Sequence, residues 1–203
     1  PITRLEGHGK IQIFLNDDGS VKDCYFQIPE LRGFERFVVG RPIEELPRIV
    51  TRICGVCPAS HHMAGAKAVD GCFGGELAPL AVKLRDMYYH AHYIHSHIAH
   101  FFALAAPAFV CGPQSDPATR NIMGLIDKSP ELAKQGIALR KFGQQIIEWL
   151  ARERVHPSWI VPGGVNRPLD PEVRTRILHG IPEAMKIAEN ALTVLKSVVG
   201  NFA

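Results

Sequence analysis

The sequence predicts an α+β fold that is predominantly α-helical: a small N-terminal antiparallel sheet followed by a long-helix bundle. Two patterns carry that expectation. Apolar residues alternate on both sides of Asn16-Asp-Asp-Gly19, at Ile11, Ile13 and Leu15 and again at Cys24, Phe26 and Ile28, the period of paired strands around a turn. Beyond residue 40 they recur every three or four positions behind helix-start signals. Residues 1–40 are expected as the hairpin region and 41–203 as the helical region of one domain, and 203 residues can bury a sizeable core.

Bulk properties exclude several function classes. The net charge of +3, without any basic cluster, argues against nucleic acid or an anionic membrane as partner. The longest apolar run, Phe101 to Val110, contains Pro107 and is too short to span a bilayer. With no secretory signal visible and five unevenly spaced cysteines, a reducing, cytoplasmic setting is expected. Cys24, Cys72 and Cys111 stand apart and are expected as small buried apolar residues.

Taken in order, Pro42 to Ile53 places Ile43, Leu46, Ile49, Val50 and Ile53 on one helical face, and Gly55 can end that helix in the left-handed conformation. Pro58 suits the first turn of the next helix, rich in Ala59, Ala64, Gly65, Ala66 and Ala68 and ended by Gly74-Gly75. A long helix follows from about Glu76 to Ala105. Its five histidines divide, His90, His97 and His100 to one side and His92 and His95 to the other, with no pair at i, i+4 to hold a metal; polar partners within a bundle are expected. Ser129-Pro130-Glu131 opens a helix with Leu139, Phe142, Ile146 and Leu150 on its apolar face, and Gly136 and Gly143 on one side admit a neighbouring backbone. Asp170-Pro171-Glu172 opens the last, which Gly180 to Pro182 should break or kink before Met185, Ala188, Leu192, Leu195 and Val199 resume the stripe. Between these two helices, residues 156–168 have the proline- and glycine-rich composition of an ordered loop, either a connector or a partner contact.

The stretch around which the rest is organised is Arg52-Ile-Cys-Gly-Val-Cys-Pro-Ala-Ser-His61. It combines two thiols, a basic group read as buried, and a helix start. A thiolate at Cys57 would sit near a helix N-cap, where free N–H groups and the helix dipole favour it, and His61 lies one turn on, placed to orient it. A closed zinc site would want a second pair of cysteines, and a thioredoxin-like pair would follow a strand rather than a helix. An iron–sulfur ligand pair and an accidental spacing stay open. Glu6 beside Arg4, and Glu35 beside Arg32 and Arg36, read by themselves as surface ion pairs.

Arg52-x-Cys54-Gly55-x-Cys57-x-x-x-His61 resembles the N-terminal metal motif of the nickel-iron hydrogenase large (catalytic) subunit. The opening Pro1-Ile-Thr-Arg-Leu-Glu-Gly-His8, Glu30-Leu-Arg-Gly-Phe-Glu35, Ser96-His97, Ser115-Asp-Pro-Ala-Thr-Arg-Asn121, His156-Pro157 and Pro162-Gly-Gly-Val165 extend the resemblance along most of the chain. The related subunit of respiratory complex I has lost the metal cysteines, so Cys54 and Cys57 discriminate against it. The resemblance implies reversible heterolytic cleavage of H2 at a nickel-iron centre, the iron carrying carbon monoxide and cyanide. It makes Cys54 a terminal nickel ligand, Cys57 the bridge between nickel and iron, Glu6 a proton gate and Glu35 a magnesium ligand, with His61 and Arg52 around the metal ligands. His156, Gly163 and Gly164 fall on the side that meets a small subunit carrying iron–sulfur clusters, through which electrons leave, with further redox subunits as possible partners. The Glu30–Glu35 block points to the cytoplasmic, cofactor-coupled branch.

Two departures accompany the resemblance. The family's second Cys-x-x-Cys pair has no counterpart after Cys111, so residues 1–203 are expected to be an incomplete domain that needs the C-terminal part of the large subunit, in the same chain or a separate one. Ala108 stands where the family usually has an acid over the open metal face. The alternative is a non-catalytic helical scaffold subunit of a related redox complex, lacking a complete metal centre.

Overall fold

The structure is a computed structural model that describes residues 3–200; Pro1 and Ile2 of the opening block and the end of the chain at Ala203 lie outside the described residues. The chain divides into two compact units, residues 1–37 and 38–203.

The first unit is built on the expected hairpin. Strands β1 (Lys10–Leu15) and β2 (Val21–Gln27) pair antiparallel, with Ile11 opposite Phe26 and Ile13 opposite Cys24, and the register shifts between Phe14 and Leu15. The turn closes through Gly19 N–H to Asn16 O at 3.0 Å and Asn16 N–H to Ser20 O at 2.9 Å. Gly19 has φ +82°, which a side chain would strain. His8 Nδ1 pairs with the Glu30 carboxylate, tying the opening block to the 30–35 block, and a short helix α1 (Phe34–Phe37) carries Glu35. Cys24 is exposed, contrary to expectation, because almost every residue of the two-stranded ribbon is open on both faces.

The second unit is the helical bundle. The stretch expected as one helix over 42–53 is instead a 3-10 turn (Ile43–Glu45), a single α turn α2 (Leu46–Ile49) and a second 3-10 turn (Val50–Ile53). Three residues per turn rotate the inner face, so Pro47 and Thr51 are buried while Ile43 and Ile53 are exposed. Helix α3 (Pro58–Phe73) ends at left-handed Gly74 as expected; Ala59, Gly65 and Ala66 face inward, whereas Ala64, Ala68 and Cys72 face outward. Helix α4 (Pro79–Ala99) passes into a π-helical segment (His100–Ala105) and α5 (Ala106–Val110). The histidines divide as their spacing predicts: His92 and His95 are buried, His90, His97 and His100 exposed.

A helix the periodicity did not predict, α6 (Ile122–Lys128), starts at Asn121, whose side chain accepts from the N–H groups of Met123 and Gly124. Helix α7 (Pro130–Ala151) lies along α4 with Leu139, Ile146 and Leu150 buried and Phe142 half-buried. A Cβ on Gly143 would stand 2.7 Å from Ala91 O and one on Gly136 2.5 Å from the Phe102 ring, so the two glycines set the spacing of these helices. After a small hairpin, β3 (Ile160–Val161) with β4 (Gly164–Val165), helix α8 runs unbroken from Pro171 to Val199. Where Gly180–Pro182 was expected to break or kink the helix, no break occurs and Pro182 lies inside it; Gly180 packs on the Phe142 ring, where a Cβ would come within 2.3 Å. Its inner stripe is Val173, Ile177, Ile187 and Ala191 with Val194; Met185, Ala188, Leu192 and Val199, expected inside, are exposed. Both stripes have helical spacing, and contact with α7 and α5 selects the first. Among the described residues no helix is long and apolar enough to cross a membrane.

Candidate metal centre

The thiol-bearing loop is held between two helical ends. Cys54 leaves the 3-10 turn in extended conformation (φ −141°, ψ 133°), so the turn ends there and not through a left-handed Gly55. Cys57 (φ −117°, ψ 37°) is the N-cap of α3, with Pro58 in the first turn where its missing N–H costs nothing. The extended Cys54 brings its sulfur to the next turn, and Cys57 N–H donates to Cys54 Sγ at 3.2 Å. Both thiols are half-buried, at the N-terminal, positive end of a 16-residue helix. A backbone donor to one sulfur and a helix terminus behind the other make a setting suited to thiolate ligands.

The remaining expected residues are placed unevenly. His61 is half-buried one turn beyond Cys57, its N–H directed at Cys57 O, and burial lowers its pKa. Arg52, read from sequence as buried, is exposed; its neighbour Thr51 takes the inner face of the turn and donates to Arg48 O at 2.7 Å. Glu6 and Glu35 are exposed and belong to the first unit, Cys54 and Cys57 to the second. Ala108 is half-buried in α5.

The 156–165 loop is an ordered part of the bundle. His156, at φ +56°, donates from Nδ1 to Thr51 O at 2.9 Å, directly behind the thiol loop. Gly163 N–H donates to Asp70 Oδ1 at 2.8 Å, and Gly164 O accepts from Arg85 Nε at 3.1 Å. Gly163 remains exposed at the tip of the hairpin with φ +79°.

Two polar groups that sequence reasoning passed over organise this block. His62, fully buried, sets its Nδ1 2.8 Å from Pro47 O and accepts at Nε2 from Ile160 N–H at 2.9 Å. Those partners fix the neutral tautomer with the proton on Nδ1, and burial lowers its pKa. Arg85, 3% exposed, pairs with Asp70 at 2.5 Å and donates to Val161 O and Gly164 O. Burial alone would raise Asp70, but hydrogen bonds from Arg85 and Gly163 and the guanidinium charge outweigh it and hold the carboxyl below its ordinary value. The signal for both was periodicity: His62 falls between Ala59 and Ala66, and Arg85 between Ala81 and Tyr88, on inner faces. Helix α3 is therefore tied to the 160–165 hairpin near both of its ends, through His62 and through Asp70.

Beneath the loop, His92 and His95 stand edge to face with centroids 6.1 Å apart. Burial chiefly, and the neighbouring histidines, push His92 down to about 4; burial also lowers His95. Among the described residues no three His, Cys, Asp or Glu side chains converge as a metal site. Two soft sulfurs on one loop fit half of a thiolate ligand set for nickel and iron, and a complete set needs further ligands.

The family model described as nickel-dependent hydrogenase matches residues 32–119, and one described as HoxL-like matches residues 1–31. The vhu F420-non-reducing hydrogenase chain of Methanocaldococcus jannaschii is 50% identical over 198 residues, 98% of this chain and 47% of that protein. The NAD-reducing hydrogenase HoxS subunit beta of Cupriavidus necator is 42% identical over 186 residues, 89% of this chain and 38% of its own length. The crystal structure of an NAD+-reducing [NiFe]-hydrogenase in the H2-reduced state superposes with TM-score 0.87 at 45% identity, covering 98% of this chain and 44% of that one. The Ni-Fe-Se hydrogenase of Desulfovibrio vulgaris Hildenborough gives 0.79 at 26% identity, covering 98% of this chain and 43% of that one. The chain thus spans less than half the length of these relatives.

Proposed function

Because this chain belongs to the nickel-dependent hydrogenase family, we propose that it forms the N-terminal part of a large subunit catalysing reversible heterolytic cleavage of H2. The observation that carries this reading is the Cys54–Cys57 loop, two thiols joined by an N–H···S bond at the start of α3. Cys54 would be a ligand of nickel and Cys57 a ligand of both nickel and iron, the iron also taking carbon monoxide and cyanide, with the remaining ligands from a second cysteine pair in the C-terminal part. When bound, that centre supplies the splitting of H2. The chain's own groups would then manage the proton: the Cys57 sulfur can hold it, and the Glu6 carboxylate, an oxygen base, would carry it away. Glu35 contributes an oxygen ligand to magnesium, a hard cation.

The partner is a small subunit carrying iron–sulfur clusters, which receives the electrons at the face bearing His156, Gly163 and Gly164. The name of the NAD-reducing relative supports the cofactor-coupled branch, and with it we place the protein in the cytoplasm. The rival scaffold reading takes its support from the two-thiol ligand set among the described residues. Native mass and metal analysis of the protein isolated from its source separate the two. Hydrogenase function predicts H2 uptake and a second cysteine pair, in a longer polypeptide or a companion chain, with stoichiometric nickel and iron. A 22.4 kDa polypeptide with neither companion pair nor metal would establish the scaffold.

A further inference from the structure

Directly under the thiol loop lies a cavity of about 20 Å³, lined by Gly55, Val56, Tyr88, His92, His95 and Gln144 among others. That volume holds one water-sized molecule, which needs roughly 10–15 Å³. Two of the lining side chains are polar, buried and unmatched. Tyr88 is fully buried and His95 is 6% exposed, and neither Tyr88 Oη nor His95 Nδ1 has a hydrogen-bond partner among the described residues. Buried polar atoms in folded proteins are almost always paired, by ordered water when not by protein. The Tyr88 ring cannot readily turn toward another partner, because it packs against Trp159 (centroids 5.7 Å) and His62 (6.3 Å). Gln144 and the backbone of Gly55–Val56 border the same space and supply further polar partners.

We propose that this cavity is a binding site for one ordered water molecule that bridges Tyr88 Oη and His95 Nδ1 and props the Gly55–Val56 turn between the two thiols. The site goes beyond the hydrogenase reading and does not require it; Tyr88 and His95 are positioning residues, acting on the loop through the water. The water is neutral, accepts from one group and donates to another, and so suits histidines that burial keeps uncharged.

The test is a high-resolution crystal structure of the complete, assembled protein, with amide exchange of Gly55 and Val56, for the wild type and three variants. A solvent peak within hydrogen-bonding distance of both atoms is expected in the wild type. Tyr88→Phe removes a single oxygen and should empty the peak and speed exchange at Gly55 and Val56 roughly two- to tenfold, the loss of about one net hydrogen bond. His95→Asn, whose amide can reach the Nδ1 position, should keep the water and the slow exchange; His95→Phe should lose both. A dry cavity in the wild type, a direct Tyr88–His95 hydrogen bond, or unchanged loop exchange in Tyr88→Phe would overturn the proposal. Because the peak is read independently of metal content, a protein without nickel or iron would count against the hydrogenase reading and leave this result standing.

Discussion

His62 and Ile160, almost a hundred positions apart, meet through a 2.9 Å hydrogen bond from the Ile160 N–H to the imidazole Nε2, while the other ring nitrogen donates to Pro47 O. One buried ring thus fastens the segment leading into the thiol loop to the hairpin behind it.

Replacing His62 with alanine strips two buried backbone groups of their partners. Each unsatisfied group costs about 1–3 kcal/mol, so the variant should lose roughly 2–6 kcal/mol. Chemical denaturation of the assembled protein, together with exchange at the Ile160 amide, reads the effect; unchanged protection of Ile160 would show that the ring is only a filler.

Stability should fall with acid in a defined window. His62, His92 and His95 all have pKa values lowered by burial, His92 to about 4 from 6.5, so the unfolded chain binds more protons than the folded one between those values. The contribution of each is complete above about pH 6.5 and is lost as pH falls through its lowered value, about 4 for His92. His92 faces His95 on its own helix, with Arg154 across the cavity, and a charged imidazole there would meet no carboxylate among the cavity's lining residues. His92→Gln should flatten the pH 4–6.5 slope of the unfolding midpoint; an unaltered slope would assign it elsewhere. Asp70, whose pKa is lowered, adds a loss at lower pH as protonation breaks its pair with Arg85.

Much of the architecture was readable in the residues because it is local. Alternation around Asn16–Gly19 marked the hairpin, Pro58, Ser129-Pro130 and Asp170-Pro171 marked helix starts, and the spacing of five histidines divided them into the two groups of which the structure buries one. What periodicity could not decide was set by tertiary contact. Helix α8 carries two apolar stripes, and only packing against its neighbours tells which is inward; Gly180 lets that helix approach Phe142, a partner thirty-eight residues away. At the site, the thiols and the helix start behind Cys57 were legible, whereas His62 and the Arg85–Asp70 pair take their meaning from a hairpin that lies at residues 160–165. Arg52 was misplaced because a 3-10 turn puts it one position off the buried face.

Proton relay and metal binding separate at the two glutamates. Glu6→Gln keeps size and one oxygen but cannot carry a proton, so metal content should survive while H2 oxidation and H/D exchange fall by about 10²–10⁴-fold. Glu35→Gln should instead lower magnesium occupancy, since an amide is the weaker ligand. Wild-type turnover in Glu6→Gln, or loss of nickel from it, would return Glu6 to an ion-pair role.

The central claim, that the loop at the start of α3 holds the bimetallic centre, is tested most directly by nickel and iron analysis of the complete enzyme carrying Cys57→Ser. A hydroxyl stays protonated near neutral pH and is a harder ligand than a thiolate, so the variant should lose both metals and H2 uptake together while its helices remain folded. Full nickel and iron content in folded Cys57→Ser protein would contradict the assignment.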